Sequence, residues 1–358
     1  MGEEIGRELA ELRRKIDEID ETILKLIKER AELAKEIARE KIARGLSIID
    51  RDREETVRRR WLEKAEKLEL PKEVVEPVLE AVMKYAIMMQ VAETVERKWK
   101  DRIEITIIGA GGMGKTMYRL FTTFGIRSTI ISARELAEKD IEIPQGRLLI
   151  FATRPEFFKE RTFLKVLDKV RPGTVIMDVL SVKERMFNII DEECLKRDLE
   201  YVSAHPLFGP TMLVFGENII LIKGRSCREE TFNIIRNLFS DMGLHVIVLD
   251  SAETHDRYMA IVQVLHHFHQ LSLMRSLEKC SRDAGIDVRK LCTKSLRMTL
   301  KVLDRLRDVL RAVIEIQLYN KYARDVRRIS IENMIKLAEC LESCEEDIDK
   351  AMRCVEVE

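Results

Sequence analysis

A glycine-rich segment is the first place where residue types and spacing could support chemistry. Residues 109–114 read G-A-G-G-M-G directly after an apolar, β-branched run at residues 103–108. A strand that leads through G-x-G-x-x-G into a helix binds the pyrophosphate of a dinucleotide, because the glycine backbone can approach the phosphates and the helix N-terminus offers its amides. The sequence therefore predicts a dinucleotide site formed by Gly109, Gly111, Gly112, Met113 and Gly114.

The segment after the second predicted strand bears on which dinucleotide binds. That strand, at residues 129–131, leads into Ser132, Ala133 and Arg134. NAD sites usually carry an Asp or Glu about 20 residues after the glycines, where it binds the ribose 2′-hydroxyl. A hydroxyl and a guanidinium suit a 2′-phosphate better, so Ser132 and Arg134 favour NADP. NAD stays open, because Arg134 could equally be a solvated residue at the start of a helix.

Two polar side chains that follow later predicted strands are expected beside the nucleotide site. His205 lies in S-A-H-P-L-F-G-P, and Ser181 lies in D-V-L-S-V-K. Ligands of doubly wound sheets bind at the carboxyl ends of the strands, which is where both residues are expected. A lone loop histidine is more often structural, but this position favours a catalytic role for His205, with Ser181 beside it.

Cations stand on the apolar stripe of a long predicted helix. Residues 7–44 contain neither Gly nor Pro, and their apolar residues recur at alternating steps of four and three. That seam continues onto Arg30 and Lys41, where a buried charge without an anion would be costly. Glu54 and Gln90 stand on apolar stripes of the next two helices. Polar residues can set the register of a coiled coil, but four such intrusions favour a polar pocket.

The elements that must position these residues fall into three predicted domains. Residues 1–98 form an all-α domain of three helices, at about residues 7–44, 50–68 and 71–98. Residues 101–250 alternate strands with helices, which predicts a doubly wound, Rossmann-like α/β domain with a parallel sheet. Residues 251–358 form an all-α C-terminal dimerisation domain in which only Gly285 is a clear break.

The first helix is too long for its own domain. Roughly 38 residues reach about 57 Å, whereas a domain of about 100 residues has a radius of gyration near 13 Å. Its single apolar seam is therefore expected to pack against a second copy of the chain.

Composition narrows the classes of partner. The 358 residues include 63 basic and 63 acidic side chains, so no net field attracts nucleic acid or an acidic membrane. No apolar run reaches the ~20 residues of a membrane helix, and the N-terminus lacks a basic, apolar leader. The seven cysteines include no C-x-x-C pair, and His266 and His269 lack further ligands on their face. We expect a cytoplasmic protein with small-molecule substrates, reduced cysteines and no metal.

The N-terminal residues resemble the all-helical class of chorismate mutase. The likeness covers about residues 5–97, and it is carried by L-R-R-K-I-D at residues 12–17, E-R at 29–30, D-R-D-R-E at 50–54, Lys41 and Gln90. The resemblance implies an intertwined dimer of three-helix chains that rearranges chorismate to prephenate. Such a rearrangement needs no nucleophile, only a compacting shape and cations near the breaking ether bond.

The same resemblance implies a role for each matching residue. Arg13, Arg53 and the partner's Arg30 would bind the carboxylates of chorismate. Lys41 and Gln90 would hydrogen-bond the ether oxygen, with Lys41 the principal catalytic cation. Glu54 and Asp50 would bind the ring hydroxyl side.

The rest of the chain resembles prephenate dehydrogenase, above all the forms fused to an N-terminal mutase. The likeness spans about residues 103–330 and is carried by H-P-L-F-G-P at 205–210, D-V-L-S-V-K at 178–183, V-L-H-H-F at 264–268, Arg297 and Arg305. It implies that His205 accepts the ring hydroxyl proton while Ser181 orients the substrate. The substrate-binding residues implied are His267, Arg297 and Arg305, with Arg305 on the carboxylate that is lost.

The sequence thus predicts a bifunctional, homodimeric enzyme of tyrosine biosynthesis. It would convert chorismate to prephenate, and prephenate to 4-hydroxyphenylpyruvate with NAD(P), and it would dimerise through its N-terminal helices and its C-terminal domain. Two alternatives stay open: another NAD(P)-dependent hydroxyacid or imine dehydrogenase whose helices only dimerise, and a nucleotide-sensing regulator. Neither alternative gives Lys41 and Gln90 a role.

Overall fold

The computed structural model describes residues 2–48, 50–139 and 141–355, with side chains from residue 6 onward. Met1, the first residue of the segment in which we expected no leader, lies outside the described residues. Contacts divide the chain into two compact units, residues 1–179 with 191–248 and residues 180–190 with 249–358. Among the helices that the structure describes, none is both long enough and apolar enough to cross a membrane.

Three helices begin the first unit, as the periodicity predicted. They are α1 (Gly2–Ala43), α2 (Arg51–Lys67) and α3 (Lys72–Trp99). The side chain of Asp50 accepts a hydrogen bond from the Arg53 amide at 2.9 Å, which caps the N-terminus of α2. Pro71 immediately precedes α3, where a missing amide hydrogen costs nothing.

The two halves of α1 differ in what covers them. Ala31, Ala34 and Ala38 are buried in the C-terminal half, which packs along α3. The predicted apolar seam of the N-terminal half is exposed instead, with Ile16 57% and Ile19 59% accessible. An exposed stripe of this length is typical of an interaction surface, which agrees with the expectation that α1 packs against a second copy.

A seven-stranded sheet forms the centre of this unit. Its strands are β1 (Ile105–Ile108), β2 (Ser128–Ile131), β3 (Leu148–Phe151), β4 (Val175–Asp178), β5 (Glu200–Pro206), β6 (Asn218–Lys223) and β7 (His245–Leu249). The spatial order is β2-β1-β3-β4-β5-β6-β7, and the first five strands are parallel. The predicted doubly wound fold is confirmed, and the order reverses between β1 and β3, which is the switch point where such sheets bind ligands.

One feature of the sheet departs from the prediction of parallel strands. β6 runs antiparallel to β5, with His205 opposite Ile220. The structure describes no helix between these strands, and a parallel connection needs a crossover, so the chain turns back on itself. The helices of this unit are α4 (Gly112–Thr123), α5 (Ala133–Glu138), α6 (Arg161–Lys169) and α8 (Glu229–Asp241), with a 3₁₀ turn at Pro155–Lys159. The residues of α7 (Glu184–Leu195) are divided between the two units at Ile190.

Helix α3 packs on two sides at once. One face meets α1 and α2, whereas Met88, Val95 and Trp99 join the buried core that contains Phe121 and Phe239 of the sheet layer. The helical segment and the sheet therefore share one hydrophobic core.

Polar contacts reinforce this junction. The Trp99 indole Nε1 donates to the Asp241 carboxylate at 2.8 Å, and the Lys98 Nζ lies 2.6 Å from the same carboxylate. Lys84 pairs with Glu217 at 2.9 Å. Because the indole is buried, its donor needs this acceptor, and Asp241 fixes the end of α3 against α8.

The second unit is helical, as predicted, but it has more breaks than Gly285 alone. Its elements are α9 (Ala252–Met259), a π-helical turn (Ala260–Leu265), α10 (His266–Ala284), α11 (Lys294–Asp308), α12 (Leu310–Tyr319), α13 (Ala323–Ser343) and α14 (Ile348–Arg353). Gly285 ends α10 with φ of 66°, the left-handed cap that glycine favours. The other breaks carry no Gly or Pro, so they left no mark in the pattern.

The cysteines of this unit correct the expectation of reduced thiols. Cys340 and Cys354 form a disulfide, and the Cys344 Sγ lies 3.6 Å from the Cys354 Sγ. Cys354 had no role in the sequence analysis, because a spacing of 14 residues across a helix break does not indicate a pair.

Two candidate active sites

A cavity of about 430 Å³ lies among α1, α2 and α3. Its polar lining residues are Arg30, Lys41, Asp50, Arg53, Glu54 and Gln90, and its apolar lining includes Leu33, Ile37, Val57, Met83, Ala86 and Ile87. Every residue predicted for the helical site is present except Arg13. The volume lies in the range of about 300–1,000 Å³ that is typical of small-molecule sites.

Each helix contributes through its local structure. Arg30 and Lys41 lie about three turns apart on one face of α1. Arg53 and Glu54 stand in the first turn of α2, which Asp50 caps, and Glu54 also donates its backbone amide to the Asp50 carbonyl at 3.0 Å. The N-cap thereby fixes where these two side chains leave α2.

The cavity is built to attract an anion. The Arg30 guanidinium donates to the Val82 carbonyl at 3.1 Å. Burial, and then the neighbouring Arg53 guanidinium, lowers the pKa of Arg30 from its usual value. A carboxylate bound between the two guanidinium groups would offset their repulsion. Arginine can bind a carboxylate with two parallel hydrogen bonds.

Two further groups have capacity for a ligand. The Lys41 Nζ donates to the Ile48 carbonyl at 2.8 Å, which leaves its other hydrogens for a second acceptor. The Gln90 Oε1 is buried and has no hydrogen-bond partner among the described residues. A buried amide oxygen without a hydrogen-bond partner costs free energy. Its presence in the wall of a cavity therefore points to a polar ligand.

The structure corrects one assignment in this set. Arg30 was expected from a partner subunit, yet it lines the cavity of its own chain. Arg13 does not line that cavity, because it lies roughly 17 residues earlier on α1, about 25 Å along the helix axis. The spacing of the seam places both arginines on one stripe of α1, but it does not show to which subunit's cavity each arginine contributes.

The glycine loop lies at the switch point between β1 and β3. Gly109 has φ of 115°, and a Cβ there would lie 2.3 Å from the Ala152 carbonyl oxygen. A Cβ at Gly114 would lie 1.7 Å from the Gly109 carbonyl oxygen. Any side chain at either position would push α4 away from the strands, so the sequence needs glycine here.

The other positions of the loop leave room for a phosphate. No described atom lies within 4 Å of the place that a Cβ would take at Gly111. At Gly112 that place is 3.6 Å from the Pro210 ring, which brings the glycine loop and the histidine segment together. Met113 follows in the first turn of α4. The loop and the helix N-terminus thus fit a dinucleotide pyrophosphate.

Thr153 is a residue of this site that the sequence analysis missed. It follows β3, its Cγ2 lies 3.4 Å from the Gly109 Cβ position, and its Oγ1 is buried with no hydrogen-bond partner among the described residues. An unsatisfied hydroxyl beside the glycine loop suits a hydroxyl or phosphate of the cofactor. Its position after a predicted strand was the available signal.

Ser132 and Arg134 lie at the end of β2, beside β1. Ser132 caps α5 in a capping box with Glu135. The Arg134 side chain is 85% exposed, and its Nε donates to the Glu138 carboxylate at 2.8 Å. Ser132 is thus partly used by α5, whereas Arg134 can turn to another anion, since exposed pairs of this kind are weak.

His205 lies near the end of β5 and is 3% exposed. The carboxyl ends of β4 and β5 adjoin the switch point, and Asp178 ends β4. A network lies just below this edge, where the buried Tyr201 hydroxyl donates to Asp178 at 2.6 Å. Burial, and then the charge of Asp178, raises the pKa of Tyr201 well above its usual value, so the phenol stays neutral.

The remaining predicted dehydrogenase residues lie in the second unit. Ser181 is half-buried in the segment before α7, whereas Arg297 and Arg305 are exposed on α11. His267 lies in the first turn of α10, directly after the π-helical turn, and its Nδ1 is buried without a partner among the described residues. Burial, and then the neighbouring His266, lowers the pKa of His267, so its ring is neutral at pH 7.

The fold and these geometries define a protein with a helical anion-binding cavity and a dinucleotide-binding sheet. Comparison with protein families agrees. Residues 12–91 match chorismate mutase type II, residues 137–248 match the nucleotide-binding domain of prephenate dehydrogenase, and residues 251–358 match its dimerization domain. The chain combines a type II chorismate mutase domain with the two domains of prephenate dehydrogenases, and the prediction of both families is confirmed.

Curated relatives include a dehydrogenase, a T-protein and a chorismate mutase. A probable arogenate/prephenate dehydrogenase of Methanocaldococcus jannaschii is 26% identical over 262 residues, which is 67% of this chain and 57% of that protein. The T-protein of Enterobacter agglomerans is 24% identical over 263 residues, 73% of this chain and 68% of that protein. A chorismate mutase of M. jannaschii is 55% identical over 49 residues, 14% of this chain and 50% of that protein. The chain thus spans little more than half the length of the first of these relatives.

Solved structures show the same fold. The prephenate dehydrogenase of Aquifex aeolicus, in complex with hydroxyphenyl propionate and NAD+, gives a TM-score of 0.56 at 16% identity, over 70% of this chain and 94% of that chain. The arogenate dehydrogenase of Synechocystis gives a TM-score of 0.53 at 16% identity, over 70% of this chain and 95% of that chain.

Proposed function

We propose that this chain rearranges chorismate to prephenate in the helical cavity and oxidatively decarboxylates prephenate to 4-hydroxyphenylpyruvate with NAD(P). The observation that carries the proposal is the cavity in which Arg30, Lys41 and Arg53 converge beside the unsatisfied Gln90 amide. That cavity stands in the same chain as a dinucleotide loop. The product of the first reaction is the substrate of the second, so the two sites serve consecutive steps toward tyrosine.

In the cavity, the residues bind and compact a dianion. Arg30 and Arg53 bind carboxylates, and the apolar wall at Leu33 and Ile37 holds the carbon skeleton in a folded shape. Lys41 and Gln90 donate to the ether oxygen as its bond breaks and negative charge gathers there, while Glu54 and Asp50 bind the ring hydroxyl side. Preorganised donors of this kind stabilise a transition state without any covalent step.

In the dehydrogenase, the residues bind the substrate and move one proton. A dinucleotide bound at the glycine loop supplies the acceptor for the hydride that leaves the substrate. His205 accepts the ring hydroxyl proton, and Ser181 orients that hydroxyl.

Groups of the second unit bind the rest of the substrate. Arg305 binds the ring carboxylate that departs as carbon dioxide, and Arg297 binds substrate from the same helix. The neutral His267 lines the pocket, where its unsatisfied Nδ1 hydrogen-bonds the substrate.

We propose a homodimer as the assembled form. The exposed seam of α1 and the dimerization-type helices of residues 251–358 supply two surfaces for a second copy. Arg13 does not line the cavity of its own chain. A second copy packed along α1 would bring the partner's Arg13 to this cavity instead. The division into domains at residues 1–98, 101–250 and 251–358, and the cytoplasmic location, stay predictions from the sequence.

NADP is the cofactor that the ribose region favours. No Asp or Glu follows β2 directly, and the hydroxyl of Ser132 and the guanidinium of Arg134, which come next in the chain, suit a 2′-phosphate better than a 2′-hydroxyl. The pairing of Arg134 with Glu138 is exposed and therefore weak enough for a phosphate to displace.

A coupled assay tests the proposal. The protein receives chorismate as its only carbon substrate, with NADP or NAD in separate cuvettes, and absorbance follows the reduced nicotinamide. Reduction from chorismate is expected because both activities reside in one chain, and it should be faster with NADP. Reduction from prephenate but not from chorismate would contradict the mutase, and no reduction from either would contradict the dehydrogenase and favour a nucleotide-binding regulator.

A further inference from the structure

Asp256 is a buried carboxylate in the second unit that the proposed chemistry does not use. It is 1% exposed and lies in α9, one turn before the π-helical turn. One of its oxygens accepts from the Lys183 amide at 2.9 Å, and the other accepts from the Glu184 amide at 3.1 Å. Asp256 thus caps the N-terminus of α7 from a different helix, where a negative charge is favourable.

Two more groups hold Asp256 itself. The His255 ring, 0% exposed, has its Nδ1 2.8 Å from the same carboxylate. The Asn320 amide, also buried, donates to the Asp256 carbonyl at 2.7 Å. Both carboxylate oxygens and the backbone carbonyl are therefore bonded, and the side chain has little freedom to move.

The elements that Asp256 joins are the ones that carry two proposed substrate groups of this unit. The capped amides lie two and three residues after Ser181. The helix of Asp256 continues through the π-helical turn into the first turn of α10, which carries His267. That turn is itself fixed, because the buried Gln317 amide donates to the Val264 carbonyl at 2.7 Å. Short π-helical turns are rare and occur mostly at functional sites.

We propose that Asp256 is a positioning residue for the dehydrogenase reaction, holding the Ser181 segment at a fixed place relative to the helix of His267. This inference rests on the proposed function. Asp256 acts through Ser181, since its own oxygens are occupied by backbone amides. A displacement of about 1 Å in a group that orients a substrate costs up to ~10²-fold in rate, so loss of this anchor should appear in catalysis.

The test substitutes Asp256→Asn, which keeps the size of the side chain but presents an NH₂ group to one backbone N–H. With prephenate as substrate, kcat should fall about 10–100-fold, as it does for other residues that orient catalytic groups. The Kd for the dinucleotide and the mutase rate should stay within about twofold, since both sites lie in the first unit. The pH dependence of the residual rate should match wild type, because a positioning residue changes where the substrate groups lie and not which group accepts the proton.

Asp283→Asn is the matched control, because Asp283 is exposed on α10 in the same unit, and it should leave every rate unchanged. Asn320→Ala is the second variant if Asp256→Asn does not fold. It removes the bond to the Asp256 carbonyl together with the bond that the Asn320 Oδ1 accepts from the Tyr322 amide, and it leaves the carboxylate contacts of Asp256 in place. It should lower kcat by a smaller factor, again without change in mutase rate.

The possible outcomes are distinct. A wild-type protein that does not oxidise prephenate rejects the proposed function before any variant is compared. If wild type is active, a kcat for Asp256→Asn within threefold of wild type overturns the positioning role. The role is equally overturned if Asp256→Asn is unfolded and Asn320→Ala keeps full kcat.

Discussion

The helical cavity and the dinucleotide site present different chemical groups to a ligand. The polar lining of the cavity consists of side chains on or next to helices: two guanidiniums, an ammonium, an amide and two carboxylates. At the dinucleotide site, the backbone of Gly109–Gly114 would approach the cofactor, and the proposed proton acceptor is the imidazole of His205. The comparison teaches that the first site depends on where charges are placed, and the second also on whether a proton is present.

The sheet site should show the largest single loss. His205→Asn should reduce the rate of prephenate oxidation about 10²–10⁴-fold, because it removes the group that accepts the ring hydroxyl proton. Conversion of chorismate should be unchanged in this variant, since His205 does not line the helical cavity. Steady-state rates with prephenate measure the first effect, and the disappearance of chorismate measures the second.

His245→Asn serves as the control, since His245 is exposed on β7 in the same unit. A loss below about threefold for His205→Asn, equal to that of the control, would show that another residue accepts the proton.

The cavity should show the next largest effect. Lys41→Ala should reduce mutase activity about 10²–10³-fold, the usual result of removing one preorganised donor from a developing negative charge. Oxidation of supplied prephenate should be unchanged. The disappearance of chorismate measures the first rate, and size-exclusion chromatography checks that the assembly is intact.

Lys35→Ala is the matched control, because Lys35 lies on the same helix but pairs with Glu32 outside the cavity lining. A near-normal mutase rate for Lys41→Ala would remove the central cation from the mechanism.

The smallest expected effect concerns stability rather than rate. Because burial and His266 lower the pKa of His267 in the folded chain, the unfolded chain binds more protons as pH falls below the ordinary value of about 6.5. The stabilising contribution is therefore present above that pH and is lost below it. His267→Gln should reduce the drop in Tm between pH 7.5 and pH 5.5, and an equal drop in variant and wild type would contradict this linkage.

Much of the fold could be read from local patterns. The helices of residues 2–99 follow a regular apolar period that only a few polar residues interrupt. The central strands are buried on both faces, so they stand out as apolar runs between turns. The antiparallel β6 could not be read in this way, because strand direction depends on the connection rather than on composition. The second face of α3 could not be read from the sequence either. Its core contacts are made by Met88 and Val95, which alternate in sequence with the polar positions of the face that meets α1 and α2.

The residues of the candidate sites were also only partly predictable from the sequence. Spacing placed Arg30, Lys41 and Gln90 on stripes that meet, and a motif placed the glycine loop. Neither source of information could say that Arg30 serves its own chain, because a seam specifies a face and not a partner. Thr153 and Asp256 were missed, since the neighbours that give each residue its proposed role come from distant parts of the chain and neither residue belongs to a spacing pattern.

The two faces of α3 bear on how this chain can be divided. A cut in the connection between Trp99 and Ile105 would leave one fragment with the exposed indole and the apolar flank of α3, and another with Phe121 and Phe239 facing water. Each fragment would tend to associate or aggregate through that surface. The helical segment and the sheet are therefore hard to separate, and we expect that soluble fragments would need new polar residues on both sides of the junction.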